Sequence, residues 1–530
     1  MTSIADIFVG LLLAVVMLAL VARRLSLPAP ILFVLGGLAL SLIPKLPEVR
    51  LDPHLVFEFF LPPLLFPAAL FTSWRDFRAN LRPITLLAVG LVLFTTGAVA
   101  LLAHYFMGLP LAAGFVLGAI VSPPDAIAAS AIADSLKIPR RIVTILEGES
   151  LVNDATALVA YRFAVLAVVT GSFSLPQAGG HFVIMSLGGI AIGLLVGWLA
   201  EQFHKHVDDA PIEVTVSLLT PFVAYLLAEK LDLSGVLAVV IAGLYLGWRM
   251  PELLNFKTRL QGGPVWEMVQ FLLNGFVFIL IGLQLPEVIE ALSAQAIPTY
   301  RLVLYALTTS LAIILVRFLW IFPAIYLPHW IIQSHSMSNP LPRWRHVMII
   351  AWTGMRGVLS LAAALALPIT RQDGTPFPGR DLILFLTFTV IIVTLVMQGL
   401  SLPPLIRWLG VKEDSSSSIE ERKARLKANQ EAFASLKEID EKDPAKADAL
   451  KRLRMEYEDH IRQVEGAASA SAGTPLRRFS TEYERLSLAA LVQERHTILH
   501  LRNENVISDE VLRRIQRDID LAEARLGHHQ

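Results

Sequence analysis

The chain has 530 residues, of which 55% are hydrophobic and 17% charged, with a formal net charge of zero and no cysteine. Soluble domains carry about 25% charged residues, so this composition excludes an ordinary soluble protein over most of the length. The absence of cysteine excludes disulfides and thiolate metal sites. Of the 90 Asp, Glu, Lys and Arg residues, 44 lie in residues 411–530. The distribution predicts an all-α polytopic membrane domain, 1–410, followed by a soluble helical tail, 411–530.

Apolar windows recur along the first 410 residues, and most are long enough to cross a bilayer of about 30 Å. The first window ends in Arg23 and Arg24 without a basic region before it, which favours a transmembrane helix over a removed signal peptide. We predict thirteen spans: 4–22, 28–44, 53–73, 83–107, 110–133, 142–170, 181–203, 213–229, 233–248, 265–292, 299–328, 346–369 and 380–405.

The basic residues of the loops predict the orientation. With the N-terminus outside, the loops on the cytoplasmic side contain 14 Lys and Arg residues and the opposite loops contain six. Cytoplasmic loops are the ones enriched in Lys and Arg. We therefore expect a multi-pass protein of the inner or plasma membrane, with the N-terminus outside and the C-terminal tail in the cytoplasm. Four amphipathic patterns in the tail, near 419–438, 446–466, 480–503 and 508–526, predict helices.

Two of the predicted spans are interrupted at comparable positions of the two halves. Prolines break the first and glycines the second, and the interrupting residues are Ser122-Pro123-Pro124-Asp125 and Gly354-Met355-Arg356-Gly357. Paired interrupted helices indicate the binding site of a transporter, although proline and glycine kinks are also common in ordinary membrane helices. The charges at the breaks, Asp125 and Arg356, favour the binding site.

Asp154 is the central candidate for binding an ion. A carboxylate within a membrane span is costly and persists mostly where it binds an ion, a proton or a partner. Ser150, Asn153 and Asp154 are spaced i, i+3 and i+4, which places them on one helix face. Pro123 and Pro124 lack N–H donors, so carbonyls of the preceding turn lose their helical partners beside Asp125. These oxygens suit a hard monovalent cation.

A single carboxylate binds a proton or a cation, but not both well, since a bound cation lowers its proton affinity. This competition suffices for exchange of a cation against a proton by alternating access. A purely structural Asp154, bonded to a neighbouring helix, is the alternative.

Arg356 needs a carboxylate or several carbonyls inside the membrane, and we predict that Glu149 is its partner in a structural ion pair. The alternative is that Arg356 tunes the proton affinity of the site directly. For Arg162 and Arg317 we expect interhelical bonds or side chains that reach the membrane surface. Asn274 has two open interpretations, a helix-packing group or a ligand.

Several motifs, in order, resemble the sodium/proton exchanger branch of the monovalent cation:proton antiporters. They are Ser122 to Asp125, Gly148-Glu149-Ser150-Leu-Val-Asn153-Asp154, Phe271 to Gln284, Gly354 to Gly357, and Gln398-Gly399-Leu-Ser-Leu-Pro403. The resemblance covers nearly all of residues 1–410 and does not extend to the tail.

The resemblance implies a fold of thirteen helices in inverted repeats, with two crossed discontinuous helices, assembled as a homodimer. It implies a cation site at Asp154 with Ser150 and Asp125, and an ion pair between Glu149 and Arg356. An Asn-Asp pair in this family accompanies electroneutral exchange, so Asn153 implies one cation per proton. The implied role is pH homeostasis by sodium/proton exchange.

The chain departs from the family pattern at two places. Its prolines precede Asp125, whereas the family usually has a proline after the aspartate. In the third span, Pro67 occupies the position where an acidic residue is usual, and Glu58 is nine residues away, about 13 Å along a helix. Both departures affect the expected ion selectivity.

Three functions remain open from the sequence. The first is a sodium or lithium/proton antiporter with no cofactor, and the second is the same scaffold exchanging potassium or several alkali cations. The third is a membrane sensor that signals through its tail to a regulatory ligand or protein. No nucleophile–base or metal-hydrolase pattern occurs, so we expect no enzymatic activity, and we expect no nucleic-acid partner.

Overall fold

The computed structural model describes residues 4–25, 27–43, 56–125, 138–171, 175–293, 298–331, 343–411, 416–437, 439, 444–466, 475–504 and 509–527. The chain forms two compact units, Met1–Glu413 and Asp414–Gln530. Within the described residues the fold is helical, and its one β-bridge joins Thr370 to Pro376 in a loop.

The first unit contains fifteen helices within its described residues. We number them α1 Ile4–Leu25, α2 Ala29–Ser41, α3 Val56–Phe71, α4 Trp74–Ala79, α5 Leu81–Met107, α6 Leu111–Val121, α7 Arg140–Thr170, α8 Leu175–His206, α9 Ala210–Lys230, α10 Gly235–Leu253, α11 Phe256–Ser293, α12 Thr299–Ile331, α13 Trp344–Trp352, α14 Val358–Leu365 and α15 Arg380–Leu409.

Every one of the thirteen predicted spans overlaps a helix of the structure. In the described part of the chain, nine helices are long and apolar enough to cross a membrane, and α2, α3 and α6 are shorter apolar helices. The predicted window 346–369 consists of two helices, α13 and α14, because the backbone is not helical at 353–357. The second half of the window 110–133, after Asp125, lies outside the described residues. Thirteen crossings and inverted repeats remain predictions.

Two glycines allow α2 and α11 to approach each other closely. A Cβ on Gly37 of α2 would overlap the Ile279 carbonyl of α11, and one on Gly282 of α11 would overlap the Val34 carbonyl of α2. Small residues permit this backbone contact between membrane helices, where van der Waals packing drives association. The paired glycines therefore fix α2 against α11.

The helix ends follow the local sequence. Gly108 and Gly171 end α5 and α7 in the left-handed conformation, with φ of 74° and 72°, which glycine adopts without a Cβ penalty. Ser234 caps α10 by accepting from the Leu237 N–H at 3.3 Å.

The second unit contains four helices in the described residues, as the amphipathic patterns predict. They are α16 Ser416–Lys437, α17 Pro444–Gly466, α18 Pro475–Asn503 and α19 Asp509–Gly527. Its small core consists of Ile498, Leu512 and Ile519, and Arg495 bonds Asp520 and Glu523 at 2.6 Å each. These exposed carboxylates raise the pKa of Arg495, so the guanidinium stays charged.

Candidate functional site

The two interrupted segments contact each other inside the first unit. α6 ends at Val121, and the residues up to Asp125 are not helical. The Asp125 N–H donates to the Met355 carbonyl at 2.7 Å, which joins the first break to the second. The structure thus brings the two non-helical segments together, and that a helix resumes after Asp125 stays a prediction because 126–137 lie outside the described residues.

Arg356 satisfies the carbonyls that the first break exposes. Its Nε donates to the Val121 carbonyl at 2.8 Å and its Nη2 to the Ser122 carbonyl at 3.4 Å, while Nη1 donates to the Gly354 carbonyl. The last carbonyls of a helix have no helical partners, and a cation there also interacts favourably with the helix dipole. Arg356 thus holds the C-terminal end of α6 against the second break.

Asn153 ties α7 to the first break. Its Nδ2 donates to the Pro124 carbonyl at 2.9 Å, and the residue is fully buried. Asn153 lies outside the wall of the cavity described next, although the sequence predicted it beside Asp154 as a ligand. Its amide instead holds the Pro124 carbonyl, one residue before Asp125.

A cavity of about 350 Å³ contains the predicted cation ligands Asp125, Ser150 and Asp154. Its walls come from α3, α7, α11, α14 and both breaks. Asp154 is 7% exposed. The other polar residues of the wall are Glu147, Gln270, Asn274 and Ser360. Carboxylate, hydroxyl and amide oxygens are the ligands of hard cations, so the cavity suits an alkali cation or a proton at Asp154 and Asp125.

Two neutral oxygens in the wall add to this set. Asn274 Oδ1 and Ser360 Oγ are buried and have no hydrogen-bond partner in the described protein. Buried polar atoms usually have a partner, so unpaired oxygens in a polar cavity are candidates for binding a cation or its water shell. Ser360 was missed by the sequence analysis. Its signal is a hydroxyl three residues after the Gly357 break.

Of the two α3 residues at which the chain departs from the family pattern, Pro67 lines the cavity and Glu58 does not. Pro67 lines the cavity, so α3 contributes no carboxylate at the position where the family usually has an acidic residue. Glu58 is exposed and is not part of the wall. The acidic groups of the cavity therefore come from α7 and the first break.

Gly357 is required by the position of Asp125. A Cβ on Gly357 would overlap Oδ2 of Asp125, and one on Gly354 would lie 2.9 Å from Nη1 of Arg356. The glycines of the second break thus leave room for the carboxylate and the guanidinium of the site.

The prediction that Arg356 is the ion-pair partner of Glu149 is wrong, because the partner is Arg317. Arg317 of α12 donates from Nη1 to Glu149 Oε1 at 2.6 Å and from Nη2 to Oε2 at 2.8 Å. Arg317 also donates to the Ile350 carbonyl of α13 from Nε, at 3.2 Å, and from Nη2, at 3.0 Å. Arg356 bonds carbonyls because the unwound segments surround it with backbone acceptors, whereas Arg317 faces the continuous helix α7.

Arg162 and Glu229 connect α7 to α9 beyond the site. Arg162 Nη2 lies 2.9 Å from Oε1 and 2.7 Å from Oε2 of Glu229. Eight residues separate Asp154 from Arg162, about 12 Å along the helix. This confirms the interhelical bond that was one expectation for Arg162.

In the part of the chain that the structure describes, a helical membrane fold with an acidic cavity beside two non-helical segments corresponds to the architecture of a secondary transporter. The family model described as "Sodium/hydrogen exchanger, transmembrane" matches residues 11–408. The chain belongs to the sodium/hydrogen exchanger family, and its resemblance to that family, stated from the motifs, is confirmed.

Relatives agree with this membership, and a solved structure has a similar fold. An uncharacterized Na⁺/H⁺ exchanger of Mycobacterium tuberculosis is 37% identical over 522 residues, 98% of this chain and 96% of the relative. The sodium, potassium, lithium and rubidium/H⁺ antiporter of Bacillus subtilis is 36% identical over 76% of this chain and 61% of its own length. The fold resembles the sodium proton antiporter MjNhaP1 of Methanocaldococcus jannaschii, with a TM-score of 0.59 and 20% identity over 78% of this chain and all of that one.

Proposed function

We propose that the protein exchanges sodium or lithium for protons, one for one, with Asp154 binding the two ions in alternation. The observation that carries the proposal is the cavity that brings Asp154, Asp125 and Ser150 together beside the two non-helical segments. A cation at Asp154 excludes a proton from the same carboxylate, and a proton excludes the cation. The exclusion couples the two fluxes when only the loaded site crosses by alternating access.

The one-for-one stoichiometry takes Asp154 as the single carboxylate that exchanges its ion, with Asp125 in the same protonation state throughout the cycle. Asn153 is a neutral amide that bonds the Pro124 carbonyl, so α7 offers one exchangeable carboxylate at this level of the helix. A site loaded with one monovalent cation or one proton has the same charge, and exchange is then electroneutral.

The cavity faces the side that we infer to be cytoplasmic. Its wall includes Phe71 at the end of α3, just before Arg75 and Arg78, and Glu147, two turns after the start of α7 at Arg140. Basic residues mark the cytoplasmic side. Further along α7, eight residues before its end at Thr170, the Arg162–Glu229 pair holds α7 to α9. This arrangement corresponds to a state open to the cytoplasm.

The same chemistry supports a second cation preference. The Bacillus subtilis relative is named for sodium, potassium, lithium and rubidium, and carboxylate and amide oxygens bind each of these ions. Potassium/proton exchange is therefore the alternative for this chain. We also propose that the protein is a homodimer and that its C-terminal tail regulates exchange.

Exchange is tested with the purified protein in liposomes under a pH gradient, followed by a pH-sensitive dye. We expect added sodium or lithium to dissipate the gradient, Asp154→Asn to abolish the response, and Asp373→Asn to preserve it, because Asp373 lies in an exposed loop. An equal response to potassium would select the alternative. No response to any cation with folded wild-type protein, or normal exchange by Asp154→Asn, would overturn the proposal.

A further inference from the structure

An ion pair joins α7 to α9 beyond the transport cavity, on the side away from Phe71 and Glu147. Nη2 of Arg162 donates to both carboxylate oxygens of Glu229, and Oε1 of Glu229 also accepts from the Gly235 N–H at 3.4 Å. Neither member of the pair lines the cavity. The two side chains are 39% and 29% exposed, so the pair is partly open to its surroundings.

The two helices that the pair joins pack mainly against other helices. α7 packs against α5, where a Cβ on Gly148 would overlap the side chain of Ile84. α9 packs against α10, where a Cβ on Gly235 would overlap the ring of Tyr225. The backbones of α7 and α9 are not closely packed in the described part of the chain. At this level of the fold, two long side chains therefore hold these helices together.

Apolar side chains separate the ion pair from the transport cavity. Phe57 of α3 lies one turn before the cavity residue Leu61, and Leu158 of α7 lies one turn after Asp154. Both pack against the hydrophobic cluster around α7 and against the cluster around α9 and α10, and neither lines the cavity. Along α7 from Asp154, this apolar layer comes first and the ion pair follows about 12 Å away, at 1.5 Å per residue.

We propose that Arg162 and Glu229 form the outer barrier of the transport path and separate when the site opens to the outside. The proposal rests on the exchange function, in which Asp154 is reached from each side of the membrane in turn. With the cavity open near Phe71, the intact pair keeps α7 against α9 and closes the outer side. Opening that side moves α7 away from α9, and this movement breaks the pair.

The exposure of the pair suits a contact that breaks in every cycle. Water solvates both charges once a partly exposed pair separates, so the separation is readily reversible. The pair between Glu149 and Arg317 is completely buried, and breaking it would leave two charges without solvent. The buried pair therefore stays intact while Arg162 and Glu229 open and close.

The barrier is tested by labelling a single cysteine from one side of the membrane. The chain has no cysteine, so Ser150→Cys places one thiol in the cavity wall. In right-side-out and inside-out membrane vesicles we apply a charged, membrane-impermeant methanethiosulfonate reagent and expect faster labelling from the cytoplasmic side. Added to this variant, Arg162→Gln or Glu229→Gln should accelerate labelling from the outer side by about fivefold, as expected for the loss of about 1 kcal/mol from a partly exposed pair.

Arg249→Gln is the matched control for the labelling experiment. Arg249 pairs with Glu201 at 2.8 Å and joins α8 to α10, so its loss should leave the outer labelling rate unchanged. Equal outer rates for Arg162→Gln, Glu229→Gln and Arg249→Gln would overturn the barrier. Faster labelling of Ser150→Cys from the outer side than from the cytoplasmic side would overturn the assignment of the pair to the closed side.

Cross-linking distinguishes a moving barrier from a static brace. In a protein with Arg162→Cys and Glu229→Cys, a short bifunctional methanethiosulfonate reagent joins the two thiols. We expect cross-linking to stop sodium/proton exchange in liposomes and dithiothreitol to restore it, since α7 can then separate from α9 again. Normal exchange by the cross-linked protein would overturn the proposal. Labelling does not depend on exchange, so a wild type without exchange would remove the proposed function while labelling still decided whether the pair closes one side.

Discussion

Glu149 and Arg317 form a buried, two-pronged ion pair that joins α7 to α12, with both side chains 1% exposed. Arg317 also donates two hydrogen bonds to the Ile350 carbonyl of α13. The helix that carries Asp154 is thereby fixed to the segment that precedes the second break. This pair holds the geometry of the cation site without contacting the cavity.

Glu149→Gln or Arg317→Gln should destabilise the protein strongly. Removing one member of a buried ion pair leaves an unpaired charge and typically lowers the free energy of unfolding by about 3–5 kcal/mol. We expect a lowered melting temperature in detergent, with partial recovery in the double variant. The control is Arg425→Gln, because its pair with Glu421 is exposed and contributes little. Equal melting temperatures for Arg317→Gln and Arg425→Gln would contradict the structural role of the buried pair.

Gly357→Ala should impair exchange while the protein still folds. The new methyl group would overlap the Asp125 carboxylate, so either Asp125 or the second break must shift. We expect the sodium concentration for half-maximal exchange to rise by tenfold or more. Gly97→Ala is a matched control within α5, since a Cβ there meets no atom within 4 Å. An unchanged sodium affinity in Gly357→Ala would show that Asp125 is not held as described.

Removal of residues 415–530 should leave exchange in place. The membrane unit and the tail are separate compact units, and the tail has its own core at Ile498, Leu512 and Ile519. We expect the truncated protein to dissipate a pH gradient with sodium, and the same truncation carrying Asp154→Asn to be inactive. Complete loss of exchange in a folded truncated protein would favour the sensor function instead.

Much of the site could be predicted from the sequence because its signals are local. Pro123 and Pro124 remove backbone donors and Gly354 and Gly357 flank a charge, so the sequence predicts interruptions at both segments. Asp154 stands out as a carboxylate in an apolar helix. The contact between the breaks, through the Asp125 N–H and the Met355 carbonyl, is consistent with the crossed helices that the resemblance implies.

The partners of long side chains could not be predicted in the same way. Which arginine reaches Glu149 depends on how α7, α12 and α13 pack, and spacing along one helix does not contain that information. The side-chain amide of Asn153 likewise donates to the Pro124 carbonyl. This carbonyl lies outside any helix because α6 ends at Val121.

The most direct test of the account measures the sodium concentration for half-maximal exchange as a function of pH in liposomes. If one proton and one sodium ion compete for Asp154, raising the pH frees the carboxylate and increases the apparent sodium affinity, by about tenfold per unit on the acidic limb. A dependence near a hundredfold per unit would indicate two displaced protons and contradict electroneutral exchange. A half-saturating sodium concentration that does not change with pH would contradict the competition itself.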